Sequence, residues 1–409
     1  MRLAVVSPFV DRGHGTERAL AELLERLARD YHCEIHLYAQ RVEDLSVAKG
    51  KLANSSESGR IVWHRVPSIP GPHLVKFLGW MFANEFLRWW HRFFDRASFD
   101  LTLSPGINCL TADIIIVHAV FHRLNELARE KGAGDTRTTG FFREMHRRAY
   151  YALLTGLESV VYSNPKTALA AVSQRTADLL ERYFRRSDVR VIPNGVDTRE
   201  FSPSAWAARR YESRRRLMLR DTDFVLLFVG NDWRVKGVPL VLEVMAQLAE
   251  LPLRFLVVGS DDADPFRQTA KRFGVLDRCH WESPRRDVIE FYAAADTYVS
   301  PTREDSFALP VAEAMACGLP AITSVHAGVS ASIHHSVDGF VLREPEDTQG
   351  LARIIERLYR DAAFRRSVGE AAARTARQWT WDRSAAQAWE LVESLAGRGR
   401  RDASERTNP

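Results

Sequence analysis

At 409 residues the chain is too long for one ordinary core, so two domains are expected. Hydrophobic residues make up 45% and charged residues 27%, the balance of a soluble globular protein. The net charge of +5 rests mostly on arginine; it suits phosphate ligands or an anionic membrane surface but is too dilute for a dedicated nucleic-acid binder, and no nucleic-acid partner is expected. The four cysteines, Cys33, Cys109, Cys279 and Cys317, are scattered in apolar contexts without a CxxC pair. They read as reduced and buried, which points to a cytosolic address and away from disulfide or metal roles. Residues 3–6 are too short for the apolar core of a signal peptide, and no run reaches the roughly 18 apolar residues of a membrane span.

Residues 3–7 form a short apolar run of the buried parallel-strand kind. A polar loop over 11–17 carries Gly13 and Gly15. A helix follows, with Leu20, Leu23, Leu24 and Leu27 at three-and-four spacing, and then a strand over 34–39. This is a β-α-β unit, the opening of a doubly wound sheet. The loop glycines allow close approach of a ligand or make a tight turn; without a full GxGxxG both readings stand. Residues 49–60 read as a loop and 61–66 as a strand. Residues 73–97 are unusual: Leu74, Phe77, Leu78, Met81, Leu87, Trp90 and Phe94 share one helical side, interleaved with Lys76, Arg88, Arg92 and Arg96. The stretch is either an interfacial helix on anionic lipid or a helix packed between strands of the sheet. Strands follow at 100–103 and 113–117. The second delivers His118 to its carboxyl end, where open α/β sheets gather ligands. Residues 121–148 are basic, with a Gly- and Thr-rich loop over 131–139. A helix from 150, a strand at 168–172, a helix at 175–183 and a strand at 189–192 complete this half. The turn at 193–197 is followed by Phe201 and Pro203, with the linker placed near 200–206.

The second half restarts with a strand over 224–229, a loop over 230–237 and a helix over 238–248. Arg234 and Lys236 therefore stand at a helix mouth, able to clamp phosphate. Further strands are expected at 253–258, 297–299, 321–324 and 339–342, with helices at 288–295 and from 348. Residues 300–322 organise this half. Asp305 and Ser306 are N-cap candidates, Pro310 suits a first helical turn, and Gly318 with Pro320 stops the helix. Glu313 rides about two turns beyond Asp305. The N–H groups of Phe307, Ala308 and Leu309 face the same mouth at the positive end of the helix dipole, so an anion on the amides flanked by two carboxylates suits a nucleotide-sugar. The plainer reading is an amphipathic helix with two solvated acids. A terminal helix is expected over 379–395 and a disordered charged tail over 396–409. The domains are thus placed at 1–203 and 204–380, with a terminal helix at 381–395.

The ordered set Pro193-Asn194-Gly195-Val196-Asp197 with Phe201 and Pro203, Phe228-Val229-Gly230 with Lys236-Gly237, Val257-Val258-Gly259, Ala295-Asp296, and Asp305 through Ala316 with Gly318-Leu319-Pro320 resembles the GT-B retaining glycosyltransferases of family 4. The last block is similar to that family's E-x7-E signature, with Asp305 in place of the first glutamate. The 231–237 loop and the 300–322 block are also similar to the lipopolysaccharide-core glucosyltransferases. The resemblance implies an α/β GT-B fold: two Rossmann-like domains facing across a cleft, with the C-terminal helix crossing back to the N-terminal domain. It implies that Arg234 and Lys236 neutralise a donor diphosphate without a metal ion or other cofactor, that Glu313 accepts from ribose hydroxyls and that Asp305 meets the transferred sugar. It further implies that the amides of 307–309 hold phosphate, that Gly230 belongs to the donor site, that Pro284 and Arg285 lie against the base, that His118 stands near the anomeric carbon and that Gly15 approaches the donor phosphates. Ala331 stands where many members carry glutamate.

The leading expectation is therefore a retaining glycosyltransferase that moves sugar from a nucleotide-sugar donor to a lipid-linked or polysaccharide acceptor. It would be cytoplasmic and peripheral on the inner face of the plasma membrane, touching anionic lipid through 73–97. Two other readings are a nucleotide-sugar epimerase on the same fold and a non-catalytic membrane-surface scaffold.

Overall fold

The computed structural model describes residues 1–45, 48–49, 59–94, 98–132, 141–285 and 287–406. Residues 50–58 of the loop expected at 49–60, Arg96 of the aromatic stretch, and 133–139 of the Gly/Thr loop lie outside the described residues. The chain forms two compact units, Met1–Pro193 with Trp381–Pro409, and Asn194–Thr380. Both are α/β.

The N-terminal unit is built on a parallel sheet ordered Arg190–Val191, Ala168–Ala171, Ile114–Val117, Leu101–Pro105, Arg2–Val6, Glu34–Ala39, Ile61–Arg65, Ala48–Lys49. Its strands are buried on both faces, which is why they read as unbroken apolar runs. The Gly15–Tyr31 helix buries Leu20, Leu23, Leu24 and Leu27, as their spacing requires. The C-terminal helix, Trp381–Arg406, joins this unit: Trp389 stacks on Tyr31 at 5.0 Å, and Arg26 pairs with Asp382 at 2.6 Å. The helix continues through residues 396–406 of the segment expected to be a disordered tail, despite Gly397 and Gly399.

The His73–Phe93 helix departs from the side expected of it. It buries Trp80, Met81 and Asn84, while Val75, Leu78, Phe82, Phe86, Trp89, Trp90, Phe93 and the following Phe94 are exposed, Phe82 to 74%. These exposed rings lean on one another along the helix. The helix is thus packed on one side and aromatic on the open side.

The C-terminal unit carries a six-stranded parallel sheet ordered Cys279–Glu282, Leu253–Val258, Phe224–Val229, Thr297–Val299, Ala321–Ser324, Phe340–Leu342. The order reverses direction between Phe224–Val229 and Thr297–Val299, which pair in register Leu226 to Thr297. That is the switch point where doubly wound sheets bind ligands. The linker lies earlier than expected. Phe201 is buried edge-on against Tyr292 at 5.5 Å, so it anchors the C-terminal unit, and the crossing falls at Pro193/Asn194. The Ala362–Ala376 helix is an element beyond those expected from the sequence. Among the described residues no helix is long and apolar enough to cross a membrane. All four cysteines are free thiols.

Candidate active site

Two loops leave the carboxyl ends of the strands that flank the switch point in the C-terminal unit. The first, 230–237, is braced from beneath. The Asp261 carboxylate accepts the N–H groups of Asp232 and Trp233 at 3.0 and 2.9 Å, and the buried Trp233 indole donates to Gly230 O at 2.7 Å. Arg303 N–H donates to Val235 O at 2.8 Å, tying this loop to the second. Gly237 has φ +88°, and a Cβ there would stand 2.6 Å from Pro301. Only glycine fits both the turn and the approach. Gly230 likewise leaves room for the Lys236 side chain, whose Nζ would lie 3.3 Å from a Cβ at that position.

The second loop carries Asp305. Its Oδ2 lies 2.9 Å from Lys236 Nζ, and both side chains are mostly buried. Burial pulls the ammonium pKa down, but Asp305 together with Asp232 and Asp261 more than offsets it and the net shift is upward, so Lys236 is charged. Asp305 Oδ1 accepts the N–H of Ala308 at 2.7 Å. Ala308, not Asp305 or Ser306, occupies the N-cap of the Leu309–Ala316 helix, in the left-handed region at φ 71°. Of the three amides expected to hold an anion, that of Ala308 is therefore already engaged. Those of Phe307 and Leu309 have no partner among the described residues.

Glu313 is not the solvated acid of the plainer reading. It is buried, and its Oε2 accepts the Tyr292 hydroxyl at 2.7 Å. Burial first, and then Glu313, push the Tyr292 pKa well above its usual value, so it remains the donor. Tyr292 carries no motif, and the sequence reading does not single out Trp233 or Asp261 either, although a tryptophan inside a polar glycine-bounded loop is a signal. Arg234 is exposed and makes no ion pair among the described residues. Arg285 is held by Glu282 at 2.6 Å and Glu290 at 3.5 Å, beside the exposed Pro284. Lys236, Asp305, Gly230 and the helix mouth are thus brought together, with Arg234 at the rim.

In the N-terminal unit, His118 follows Ile114–Val117, half-buried, and desolvation lowers its pKa to about 4, leaving it neutral. Gly15 opens its helix beside a loop shaped by Asp11, whose carboxylate accepts the N–H groups of Gly13 and His14 at 2.8 and 3.1 Å. Among the described residues no group of three or more His, Cys, Asp or Glu is arranged to hold a metal ion.

Residues 13–200 match the Glycosyltransferase Family 4 model and residues 209–375 the model of Glycosyl transferases group 1, together most of the chain. The chain belongs to the glycosyltransferases, and its two parallel α/β units are of the GT-B type. It is similar to the D-inositol 3-phosphate glycosyltransferase of Salinispora tropica, 29% identical over 250 residues that cover 57% of this chain and 52% of that protein. It spans about half the length of the curated relatives it matches. WaaG, a glycosyltransferase involved in lipopolysaccharide biosynthesis, gives a TM-score of 0.75 at 19% identity, covering 95% of this chain and 99% of that one. Anabaena Alr3699/HepE, solved with UDP-glucose, gives 0.68 at 18%, covering 96% and 100%.

Proposed function

We propose that the protein is a retaining glycosyltransferase that moves a sugar from a nucleotide-diphosphate donor to a lipid-linked or polysaccharide acceptor of the cell envelope, without a metal ion. The observation that carries this reading is the Lys236–Asp305 pair at the mouth of the Leu309–Ala316 helix, at the switch point of a glycosyltransferase sheet.

As the bond from anomeric carbon to phosphate oxygen breaks, charge gathers on the leaving diphosphate. The Lys236 ammonium and the amides of Phe307 and Leu309 are fixed donors for that charge, with Arg234 as a second cation at the rim. The acceptor hydroxyl forms the new carbon–oxygen bond on the face the diphosphate leaves, and its proton passes to the departing phosphate oxygen. Retention rests on the family resemblance. Asp305 orients the sugar hydroxyls, and Glu313, held by Tyr292, faces the ribose. Arg285 and Pro284 flank the base; for His118 and Gly15, in the N-terminal unit, only the family resemblance supplies the roles near the anomeric carbon and the donor phosphates. An acceptor at a membrane surface is supported by the open aromatic face of the His73–Phe93 helix, with Lys76 and Arg92 exposed on the same helix.

The test is incubation with UDP-, GDP-, ADP- and dTDP-sugars in the presence of a chelator, counting free nucleoside diphosphate. UDP-glucose comes first because the HepE neighbour was solved with it. Release from one donor, accelerated by an acceptor, is expected. Isomerised nucleotide-sugar from donor alone would make the protein an epimerase, and no binding of any donor would make it a scaffold.

A further inference from the structure

We infer that Asp305 is an internal stand-in for the donor diphosphate and thereby selects the intact nucleotide-sugar over the spent nucleotide; this rests on the donor reading above. Both carboxylate oxygens sit on groups of the kind that would hold a phosphate: Oδ2 on the Lys236 ammonium at 2.9 Å, and Oδ1 on the Ala308 amide at 2.7 Å. A cation and a helix-mouth amide are the pair a phosphate oxygen would use. The main chain of Asp305 is pinned, its N–H donating to His326 O at 3.1 Å and its C=O accepting from Gly328 N–H at 2.8 Å. The carboxylate therefore leaves Lys236 by side-chain rotation while its backbone stays in place.

A diphosphate arriving at Lys236 meets a like charge and has to displace it. When the intact donor binds, the displaced carboxylate accepts hydrogen bonds from sugar hydroxyls. When the sugar has gone, those partners are gone, and Asp305 competes with the bound phosphate for Lys236. Free nucleoside diphosphate is thus held weakly and released quickly, whereas the donor is not penalised in the same way.

Calorimetry on the full chain, in buffer without metal, tests this with inorganic pyrophosphate, UDP and UDP-glucose against wild type, Asp305→Asn and Asp305→Ala. Pyrophosphate and UDP are expected to bind both variants about tenfold more tightly, the size of one charge-assisted contact removed from competition. UDP-glucose should gain nothing, so its advantage over UDP collapses. Asp305→Glu, which keeps the charge, should keep pyrophosphate binding weak. Pyrophosphate binding equal to or weaker than wild type in both neutral variants, with unchanged thermal melts, would overturn the inference. If neither wild type nor variant binds pyrophosphate, UDP or UDP-glucose, the donor reading itself fails, and this inference with it.

Discussion

Replacing Lys236 by alanine removes the partner of a carboxylate that is itself mostly buried. The two side chains are 20% and 17% exposed, with Nζ and Oδ2 2.9 Å apart. At about 4 Å between charge centres and an effective dielectric near 20, the attraction is about 4 kcal/mol. Lost hydration of both groups offsets much of that. The orphaned Asp305 keeps the Ala308 N–H and recruits water, so the net loss of stability is about 2 kcal/mol. Urea unfolding should show a lower midpoint at unchanged slope. Turnover should fall further than stability, by about 10²–10³, because one preorganised charge aimed at the leaving group is lost. Lys236→Arg should not restore it, since the ammonium sits tightly over Gly230 and a guanidinium is larger. A folded Lys236→Ala protein releasing nucleoside diphosphate within about threefold of wild type would refute the reasoning.

Other positions give independent checks. Gly237→Ala combines a positive φ with a 2.6 Å approach to Pro301, and should cost about 2–3 kcal/mol in urea unfolding while weakening donor binding. His36 Nδ1 and His64 Nε2 lie 2.9 Å apart in the N-terminal core, and burial lowers their pKa values to about 4 and about 3. Unfolding lets both return to an ordinary value near 6.5, so the unfolded chain binds more protons below that pH. Stability from these rings is therefore complete above about pH 7 and is lost as pH falls from about 6.5 toward 4, by about 2 kcal/mol per ring at pH 5; urea midpoints taken across that range measure it. Phe82 and Trp89, 74% and 48% exposed, should tolerate joint replacement by glutamate without loss of stability. The double variant should lose sedimentation with phosphatidylglycerol vesicles by about tenfold or more.

Much of this architecture is legible from residues close together in the chain. Buried parallel strands announce themselves as apolar runs, and Pro310 with Gly318 brackets a short helix in any context. The loop containing Lys236 and the block containing Asp305 could each be placed at the carboxyl end of a strand from the sequence. That the two strands are neighbours, so that lysine and aspartate touch, follows from the strand order. The engagement of the Ala308 amide was hidden because alanine gives no sign of a left-handed conformation. Tyr292 was hidden because its partner lies across the fold on another helix. The His73–Phe93 helix carries large apolar residues around most of its circumference, so periodicity cannot choose which side faces the protein.

The most direct measurement is a crystal structure with UDP bound. A diphosphate oxygen is expected within hydrogen-bond distance of Lys236 Nζ and of the Phe307 or Leu309 amide, with the Asp305 carboxylate rotated off the ammonium. A diphosphate bound elsewhere, with the Lys236–Asp305 contact intact, would contradict it.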